Sequence, residues 1–204
     1  MPLAEALRDC LGLTGAVETG TFRGASARAL AQRFAHVHTI ELSRHLYEVA
    51  KSEVPANVTA HHGSSADLMP SVIDKVSGPQ LFWLDGHWSG GITAGVSSEC
   101  PVLDEVRAID ESEWGAGSAV LVDDARLFLA PPPPPHKREQ WPAFIELADK
   151  LRAVHPRYVT IVEDVIVAVP VLARALVEDY AMTVADVQQP GRRRFSDLVA
   201  KLRQ

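Results

Sequence analysis

Three aspartates stand at the ends of two apolar runs and could together bind a cation. Asp85 ends the run 81–85, and Asp123 and Asp124 close the run that begins at residue 119. If these runs are neighbouring strands of a parallel sheet, their carboxylates meet at one edge, and a bound cation relieves the repulsion between them. Oxygen ligands favour a hard ion, so we expect Mg2+, with Mn2+ or Ca2+ as alternatives.

A turn with two glycines could approach a ligand closely. The segment 17–26 (VETGTFRGAS) places Gly20 and Gly24 four residues apart, just before a helical pattern. Glycine lets the backbone pass close to a ligand, and a helix start offers free N–H donors to an anionic group. A dinucleotide fingerprint would also need glycine where this chain has Phe22 and Ala25, so NAD binding is disfavoured. A purely structural strand-to-helix turn is the alternative.

The elements that would position these residues follow from the apolar pattern. Short apolar runs alternate with stretches of helical period, which predicts an α/β, Rossmann-like doubly wound sheet of seven strands. The predicted strands are 16–18, 37–41, 58–61, 81–85, 119–123, 158–162 and 165–169. The predicted helices are 25–34, 43–54, 66–76, 101–109 and 142–154, with Ser43 and Ser65 as N-caps. Only two residues separate the last two strands, which predicts an antiparallel edge hairpin on a mostly parallel sheet.

We expect one domain over residues 1–204. Two loops, 86–99 and 125–140, are expected to belong to the active site. Both loops follow strand ends, where ligands bind in open α/β sheets. The first loop contains Gly90 and Gly91, which could act as a hinge. The second contains a run of five prolines, which forms a stiff spacer.

The composition excludes several classes of protein. With 47% hydrophobic and 23% charged residues, the chain is predicted to be globular. Its formal charge of −6 repels phosphate backbones and anionic lipids, so we expect no nucleic acid or membrane partner. Two cysteines are too few for a disulfide framework, and no secretory signal is visible, so a cytoplasmic location is expected. The sequence leaves open whether the chain forms a homo-oligomer.

The first third of the chain resembles class I S-adenosylmethionine-dependent methyltransferases. The resemblance rests on the glycine turn, on Glu41 at the end of the next strand, and on the segment 62–70 after the third strand. It implies S-adenosyl-L-methionine as the cofactor, with Glu18 at the methionyl amino group and Glu41 at the ribose hydroxyls. The implied cofactor-binding residues are Glu18, Gly20, Thr21, Gly24, Ser26, Glu41, Ser64, Ser65 and Asp85.

The acidic cluster resembles that of metal-dependent O-methyltransferases of the catechol, caffeoyl-coenzyme A and macrocin types. In those enzymes an aspartate after the fourth strand joins an Asp-Asp or Asp-Asn pair after the fifth. The resemblance implies a metal held by Asp85, Asp123 and Asp124 that chelates two hydroxyls of a small-molecule acceptor and lowers the pKa of one. The expected activity is O-methylation of a sugar, a phenol or a natural-product intermediate.

The chain departs from that pattern at the general base. Catechol-type enzymes place a lysine just after the fourth-strand aspartate, whereas residues 86–89 contain none. His87 could take the hydroxyl proton, with Asp85 as the second candidate catalytic residue, or it could anchor the loop. Trp88 could line the acceptor pocket or pack the loop down. Arg126 could bind an anionic acceptor or neutralise the aspartate pair.

Three other functions fit the same residues. A metal-independent methyltransferase would use His87 as its only base. A non-catalytic protein would bind S-adenosylmethionine as a signal or a structural ligand. A metal-dependent hydrolase would bind the cation and ignore S-adenosylmethionine. Acceptor identity depends on loops whose sequences carry no transferable pattern.

Overall fold

The computed structural model describes residues 2–88, 98–130 and 132–187, in which seven strands form one sheet covered by helices on both faces. The strands are β1 (Gly15–Thr19), β2 (Val37–Glu41), β3 (Val58–His62), β4 (Gln80–Leu84), β5 (Ala119–Val122), β6 (Arg157–Val162) and β7 (Val165–Pro170). Each end lies within one residue of its predicted position. The predicted fold class, a mostly parallel Rossmann-like sheet with an antiparallel hairpin, is confirmed.

The sheet order is β3-β2-β1-β4-β5-β7-β6. Strands β1 to β5 run parallel, and β7 runs antiparallel to both β5 and β6. Strands β4 and β5 are neighbours, as predicted, with Leu84 paired with Val122. The carboxyl ends of β1, β2, β4 and β5 therefore lie along one edge of the sheet, and this edge carries most of the predicted site residues.

The helices fall into a predicted and an unpredicted group. Those at predicted positions are α2 (Ala25–Ala31), α3 (Arg44–Glu53), α4 (Ser65–Ile73), α5 (Val102–Asp110) and α7 (Phe144–Ala153). Those without a prediction are α1 (Pro2–Leu11), α6 (Arg126–Leu129) and α8 (Arg174–Val187). Short 3₁₀ turns occupy Arg138–Gln140 and Val171–Ala173. The predicted loop 125–140 is therefore partly helical.

The two predicted N-caps have different outcomes. Ser43 caps α3, where its hydroxyl accepts a hydrogen bond from the Leu46 N–H at 3.5 Å. The prediction for Ser65 is wrong by one residue, because Ser64 is the extended N-cap of α4 and Ser65 is its first helical residue. Ser65 is buried, so its side chain faces the protein interior.

The core lies on both faces of the sheet because alternate residues of each strand point in opposite directions. On one face, Val17 of β1 and Phe82 of β4 join a buried cluster with residues of α4, α5 and α7. On the other, Ala16 and Leu81 join a second cluster with residues of α1, α2 and α8. Strands buried on both faces read as continuous apolar runs, which is why the sequence located them well.

Part of the predicted site falls outside this description. Residues 89–97 of the predicted loop 86–99, including the proposed Gly90–Gly91 hinge, lie outside the described residues. In the ranges that are described, no helix combines the length and the apolar character needed to cross a membrane.

Candidate functional site

The turn after β1 runs against the loop that follows β4. Gly20 has a φ of +81°, and a Cβ built on it would overlap the backbone carbonyl oxygen of Asp85. The Gly20 N–H donates to the Ile40 carbonyl of β2 at 2.9 Å. Glycine is therefore required at position 20 both by the left-handed backbone and by the close approach of the neighbouring chain. Gly24 ends the same turn as the N-cap of α2.

Glu18 is a buried carboxylate near the end of β1. Its Oε2 accepts a hydrogen bond from the Thr39 hydroxyl at 2.5 Å, and that hydroxyl also contacts Thr21 Oγ1. Its Oε1 is buried and has no hydrogen-bond partner among the described residues. Burial raises the pKa of Glu18 to about 8; the Thr39 hydroxyl opposes this, Asp85 raises the pKa further, and Ser26 on α2 lowers it. A cation bound here would stabilise the ionised form.

Glu41 is oriented at the end of β2 by two backbone donors. Its Oε2 accepts from the Phe22 N–H and its Oε1 from the Ser43 N–H, both at 2.8 Å. Phe22 has a φ of +47° and is 43% exposed. Each carboxylate oxygen still has a lone pair for a further donor. The structure thus brings Glu18, Gly20, Thr21 and Glu41 together at one edge of the sheet.

The three predicted metal-binding aspartates follow adjacent strand ends. The Asp85 N–H donates to the Thr19 carbonyl at 3.1 Å, and the Asp123 N–H donates to the Leu84 carbonyl at 3.1 Å. Burial raises the pKa of Asp85 to about 7; His87 opposes this, while Asp123 and Asp124 raise the pKa further. Burial likewise raises the pKa of Asp123. Negative charge at this edge is therefore only partly compensated.

His87 lies between two of these aspartates. Its Nε2 is 3.0 Å from Asp124 Oδ2 and 3.7 Å from Asp85 Oδ1. The imidazole is buried, and its edges contact the rings of Phe128 and Trp141. One potential ligand atom from each of Asp85, His87 and Asp124 lies within 4.8 Å of the others.

Asp123 and Asp124 have different surroundings. Asp123 Oδ1 accepts the Asp124 N–H at 2.8 Å, and Asp123 is not one of the three residues whose ligand atoms group together. Asp124 has a φ of +55°, and its side chain contacts His87. The hydrogen bond from His87 lowers the pKa of Asp124, and Arg126 acts in the same direction. The structure therefore brings His87, rather than Asp123, next to Asp85 and Asp124.

Arg126 is engaged by carboxylates of the protein itself. Its guanidinium forms an ion pair with Asp124 at 2.7 Å and another with Asp164 of the β6–β7 turn. Its backbone N–H also donates to Asp164 Oδ1 at 2.9 Å. The side chain is 61% exposed. Arg126 therefore links Asp124 to the edge hairpin formed by β6 and β7.

Glu105 is a site residue that sequence reasoning missed. It is 1% exposed on α5, and its Oε1 has no hydrogen-bond partner among the described residues. Burial raises the pKa of Glu105, against hydrogen bonds with Ser65 and Thr19. A Cβ built on Gly86 would lie 3.1 Å from Glu105 Oε1, so this carboxyl group lies under the loop that carries Asp85. The sequence signal for its burial is its position between Val102 and Ile109, on the apolar face of α5.

Glu99 joins the two predicted loops. Its Oε2 accepts from the Lys137 N–H at 2.9 Å and from Trp141 Nε1 at 3.0 Å. Its carbonyl accepts the Trp88 N–H at 2.7 Å. Burial would raise the pKa of Glu99, but the hydrogen bonds from Trp141, Lys137 and His136 outweigh it and hold the pKa below its usual range.

The ring of Trp88 packs at the same junction. It lies 4.9 Å from the ring of His136, in an edge-on arrangement, and His136 in turn contacts Trp141. A continuous row of ring contacts therefore leads from His87 through Trp141 and His136 to Trp88, beside the acidic cluster.

Comparison with known proteins adds the identity of the fold. No protein-family model and no curated protein matches the sequence. Among solved structures, the chain is similar to a candidate caffeoyl-CoA O-methyltransferase from Staphylococcus aureus, with 14% identity, a TM-score of 0.51, and 82% and 81% of the two chains aligned. It is equally similar to a candidate O-methyltransferase from Klebsiella pneumoniae, with 14% identity, a TM-score of 0.51, and 82% and 80% aligned.

Other solved structures are larger than the region they share with this chain. One of them is a SAM-dependent methyltransferase from Anabaena variabilis, with 13% identity and a TM-score of 0.42. The alignment includes 58% of this chain but only 47% of that protein. The alignments with a TM-score of 0.51 establish the fold: it is the Rossmann-like fold that is also found in proteins named as O-methyltransferases.

Proposed function

We propose that this chain is an S-adenosylmethionine-dependent methyltransferase that methylates a hydroxyl group of a small molecule with the help of a divalent cation. The observation that carries the proposal is the burial of Glu18, whose Oε1 has no hydrogen-bond partner at bonding distance within the described part of the chain, at the same sheet edge as the cluster of Asp85, His87 and Asp124. S-adenosylmethionine and the divalent cation are both positively charged. Each would lie beside carboxylates whose negative charge is only partly neutralised by the protein.

The residues present fit S-adenosylmethionine. Its ammonium group would be held by Glu18, whose pKa is raised to about 8 by burial, and a cation beside this carboxylate would favour its ionised form. Glu41, fixed by two backbone N–H donors, would accept the ribose hydroxyls. Gly20 and Gly24 would keep the turn free of side chains, with Ser26 at the start of α2 as a donor to the methionyl carboxylate. When bound, the cofactor supplies an electrophilic methyl group.

The donor set also fits a divalent cation, with one change from the sequence-based expectation. Asp85 and Asp124 supply oxygens, and His87 supplies an imidazole nitrogen within 4.8 Å of both. Mg2+ prefers oxygen ligands alone, whereas first-row transition ions, from Mn2+ onwards, bind mixed sites of nitrogen and oxygen ligands. We therefore propose Asp85, His87 and Asp124 as the protein ligands. Asp123 would hold Asp124 in place, because its Oδ1 accepts a hydrogen bond from the backbone N–H of Asp124. When bound, the ion supplies Lewis acidity that lowers the pKa of an acceptor hydroxyl.

The other residues position the acceptor and exclude water. Arg126 holds Asp124 in its orientation through an ion pair at 2.7 Å. Phe128 and Trp141 pack against the edges of His87 and limit its rotation. Trp88 continues this aromatic wall and would contact the apolar part of the acceptor.

A metal-independent reaction is the second candidate, and the hydrogen bond between His87 and Asp124 favours it. If His87 Nε2 donates to Asp124 Oδ2, the other ring nitrogen, Nδ1, is free to take the proton of the acceptor hydroxyl. Asp124 would then stabilise the imidazolium that forms. In this case Asp85 would contribute only its negative charge.

Methyl transfer from radiolabelled S-adenosylmethionine separates these candidates. The chain is treated with EDTA, then assayed against catechols, phenols and glycosides with no metal, with Mg2+ or with Mn2+. The proposal predicts product that depends on added metal, with Mn2+ at least as effective as Mg2+. Equal activity with and without metal would select the His87 base mechanism. Binding of S-adenosylmethionine without product in any arm would contradict both and favour a non-catalytic binding protein.

A further inference from the structure

A polar cavity lies at the amino-terminal ends of β1, β2 and β3, at the edge of the sheet opposite to Asp85. Its volume is about 320 Å3, which is in the range of small-molecule sites. Thr14 and Gly15 line it at the start of β1, and His38 and Thr59 line it from β2 and β3. The strands in between separate this cavity from the acidic site, since each residue of a strand spans about 3.3 Å.

The walls of the cavity are basic and neutral polar. His36, His38 and Lys75 line it, and no Asp or Glu is among the described residues that do so. The neutral wall is held in place by hydrogen bonds: Asn57 Nδ2 donates to two backbone carbonyls, and Gln80 Nε2 donates to Thr14 Oγ1 at 2.7 Å. A concave surface with positive charge and fixed polar groups attracts a small anion.

A pair of histidines lies where the cavity meets the sheet. His38 and His61 stack with ring centroids 5.2 Å apart, and Nδ1 of His38 lies 3.0 Å from Nε2 of His61. Burial lowers the pKa of both, to about 4 for His61. The charged groups that add to this effect are all basic, namely Lys75, His36 and the other member of the pair. Lys75 therefore supplies the positive charge of the site, the lowered pKa values keep His38 and His61 as neutral hydrogen-bonding groups, and none of the described lining residues is acidic.

We propose that this cavity binds a small ligand through a phosphate dianion, with Lys75 as the counter-charge and His36 and His38 as hydrogen-bond donors. The four oxygens of a phosphate group can accept several hydrogen bonds at once, and bonds to a charged acceptor are stronger than neutral ones. The net charge of −6 on the whole chain opposes an extended polyanion, so a compact phosphate suits the cavity better than a nucleic acid.

An NMR titration of the whole chain with inorganic phosphate at constant ionic strength tests the proposal. The imidazole resonances of His38 and His61 should shift and saturate, whereas those of His155, which bonds the Asp110 carbonyl on another part of the chain, should not move. Lys75→Gln should weaken binding by about tenfold or more. Lys150→Gln removes the same charge from an exposed position on α7 and should leave the affinity within about twofold.

A second titration with ribose 5-phosphate identifies the source of the phosphate group. Binding at least about tenfold tighter than that of inorganic phosphate would indicate a phosphorylated metabolite, and equal affinity would indicate free phosphate. The proposal is overturned if neither probe shifts His38 in a saturable manner. It is also overturned if Lys75→Gln and Lys150→Gln weaken binding equally, because that result means non-specific charge attraction. These outcomes are independent of the proposed methyltransferase activity at the opposite edge.

Discussion

The carbonyl oxygen of Asp85 fills the space where a side chain on Gly20 would begin. Through this contact, the turn proposed to hold S-adenosylmethionine packs directly on the loop proposed to hold the cation. Asp85 is also bonded through its N–H to Thr19, the last residue of β1. The two halves of the candidate site therefore form one packed unit, and a change in one half should disturb the other.

Gly20→Ala tests this contact. The substitution forces an alanine to a φ of +81° and drives its Cβ into the Asp85 backbone. We expect loss of S-adenosylmethionine binding and a lower Tm than wild type. The matched control is Gly12→Ala, where φ is also positive but no atom lies within 4 Å of the added Cβ.

The control should lose only about 1–2 kcal/mol in the free energy of unfolding, which is the cost of a left-handed backbone at an alanine, and should keep its affinity for the cofactor. Thermal unfolding and a binding titration of the two variants measure the difference. Equal Tm values and equal affinities for both variants would contradict the importance of the Gly20–Asp85 contact.

Glu18→Gln tests the buried carboxylate through the pH dependence of stability. The pKa of Glu18 is about 8 in the folded chain and 4.5 in the absence of folding. Between these values the folded state keeps a proton that the unfolded state has lost, so the free energy of unfolding should fall as pH rises towards 8. Denaturant titrations of the ligand-free chain from pH 5 to pH 8.5 should show this fall, and Glu18→Gln should reduce it.

The control for that experiment is Glu111→Gln, which changes an exposed glutamate at the C-terminal end of α5. Its pH profile should match that of wild type. A Glu18→Gln profile that also matches wild type would show that Glu18 does not carry the shifted pKa. Asp85, with a pKa of about 7, should account for part of the fall that remains.

The ligands of the proposed cation can be distinguished by three substitutions. His87→Asn and Asp124→Asn should each reduce Mn2+ affinity by about tenfold or more, since each removes a donor or its orienting partner. Asp123→Asn should have a smaller effect, because Asp123 Oδ1 faces the backbone N–H of Asp124. Mn2+ binding followed by electron paramagnetic resonance provides the measurement.

Asp104→Asn is the control, since Asp104 is exposed on α5 and pairs with Arg107. It should bind Mn2+ as wild type does. If Asp123→Asn lowers the affinity as much as Asp124→Asn while His87→Asn does not, the all-aspartate site predicted from the sequence is the better description.

Glu99→Ala tests the junction between the loops after β4 and β5. The substitution leaves the Lys137 N–H and Trp141 Nε1 without their acceptor, so we expect a loss of about 1–3 kcal/mol in the free energy of unfolding. The acceptor KM should rise more than the cofactor KM, because Trp88 and Trp141 lose their support. Glu139→Ala, at an exposed position of the neighbouring 3₁₀ turn, is the control. Equal effects of the two substitutions would contradict this role for Glu99.

The strands and the acidic residues at their ends were predictable because burial on both faces makes each strand a continuous apolar run. Where such a run stops at a carboxylate, as at Asp85 and Asp123, the residue must lie at the sheet edge. The adjacency of β4 and β5 then followed from the parallel arrangement. These features depend on local pattern and on chain topology alone.

The remaining features depend on tertiary contacts. For Glu105 the sequence offers one signal, its place on the apolar face of α5, whereas for Glu99 only the contact with Trp141 shows that the side chain is buried. His87 and Asp124 are 37 residues apart and meet only through the pairing of β4 with β5, and the positive φ of Asp124 has no local sequence signal. The short helix α1 has apolar residues Leu3, Leu7 and Leu11 at helical spacing, but only its contact with α8 reveals why it is stable.

Isothermal titration calorimetry of the ligand-free chain with S-adenosylmethionine tests the central claim most directly. The account predicts saturable heat for one site per chain, with affinity reduced by about tenfold or more in Glu18→Gln and unchanged in Glu111→Gln. It is contradicted if neither S-adenosylmethionine nor S-adenosylhomocysteine produces binding heat, or if Glu18→Gln binds both ligands as tightly as the wild-type chain.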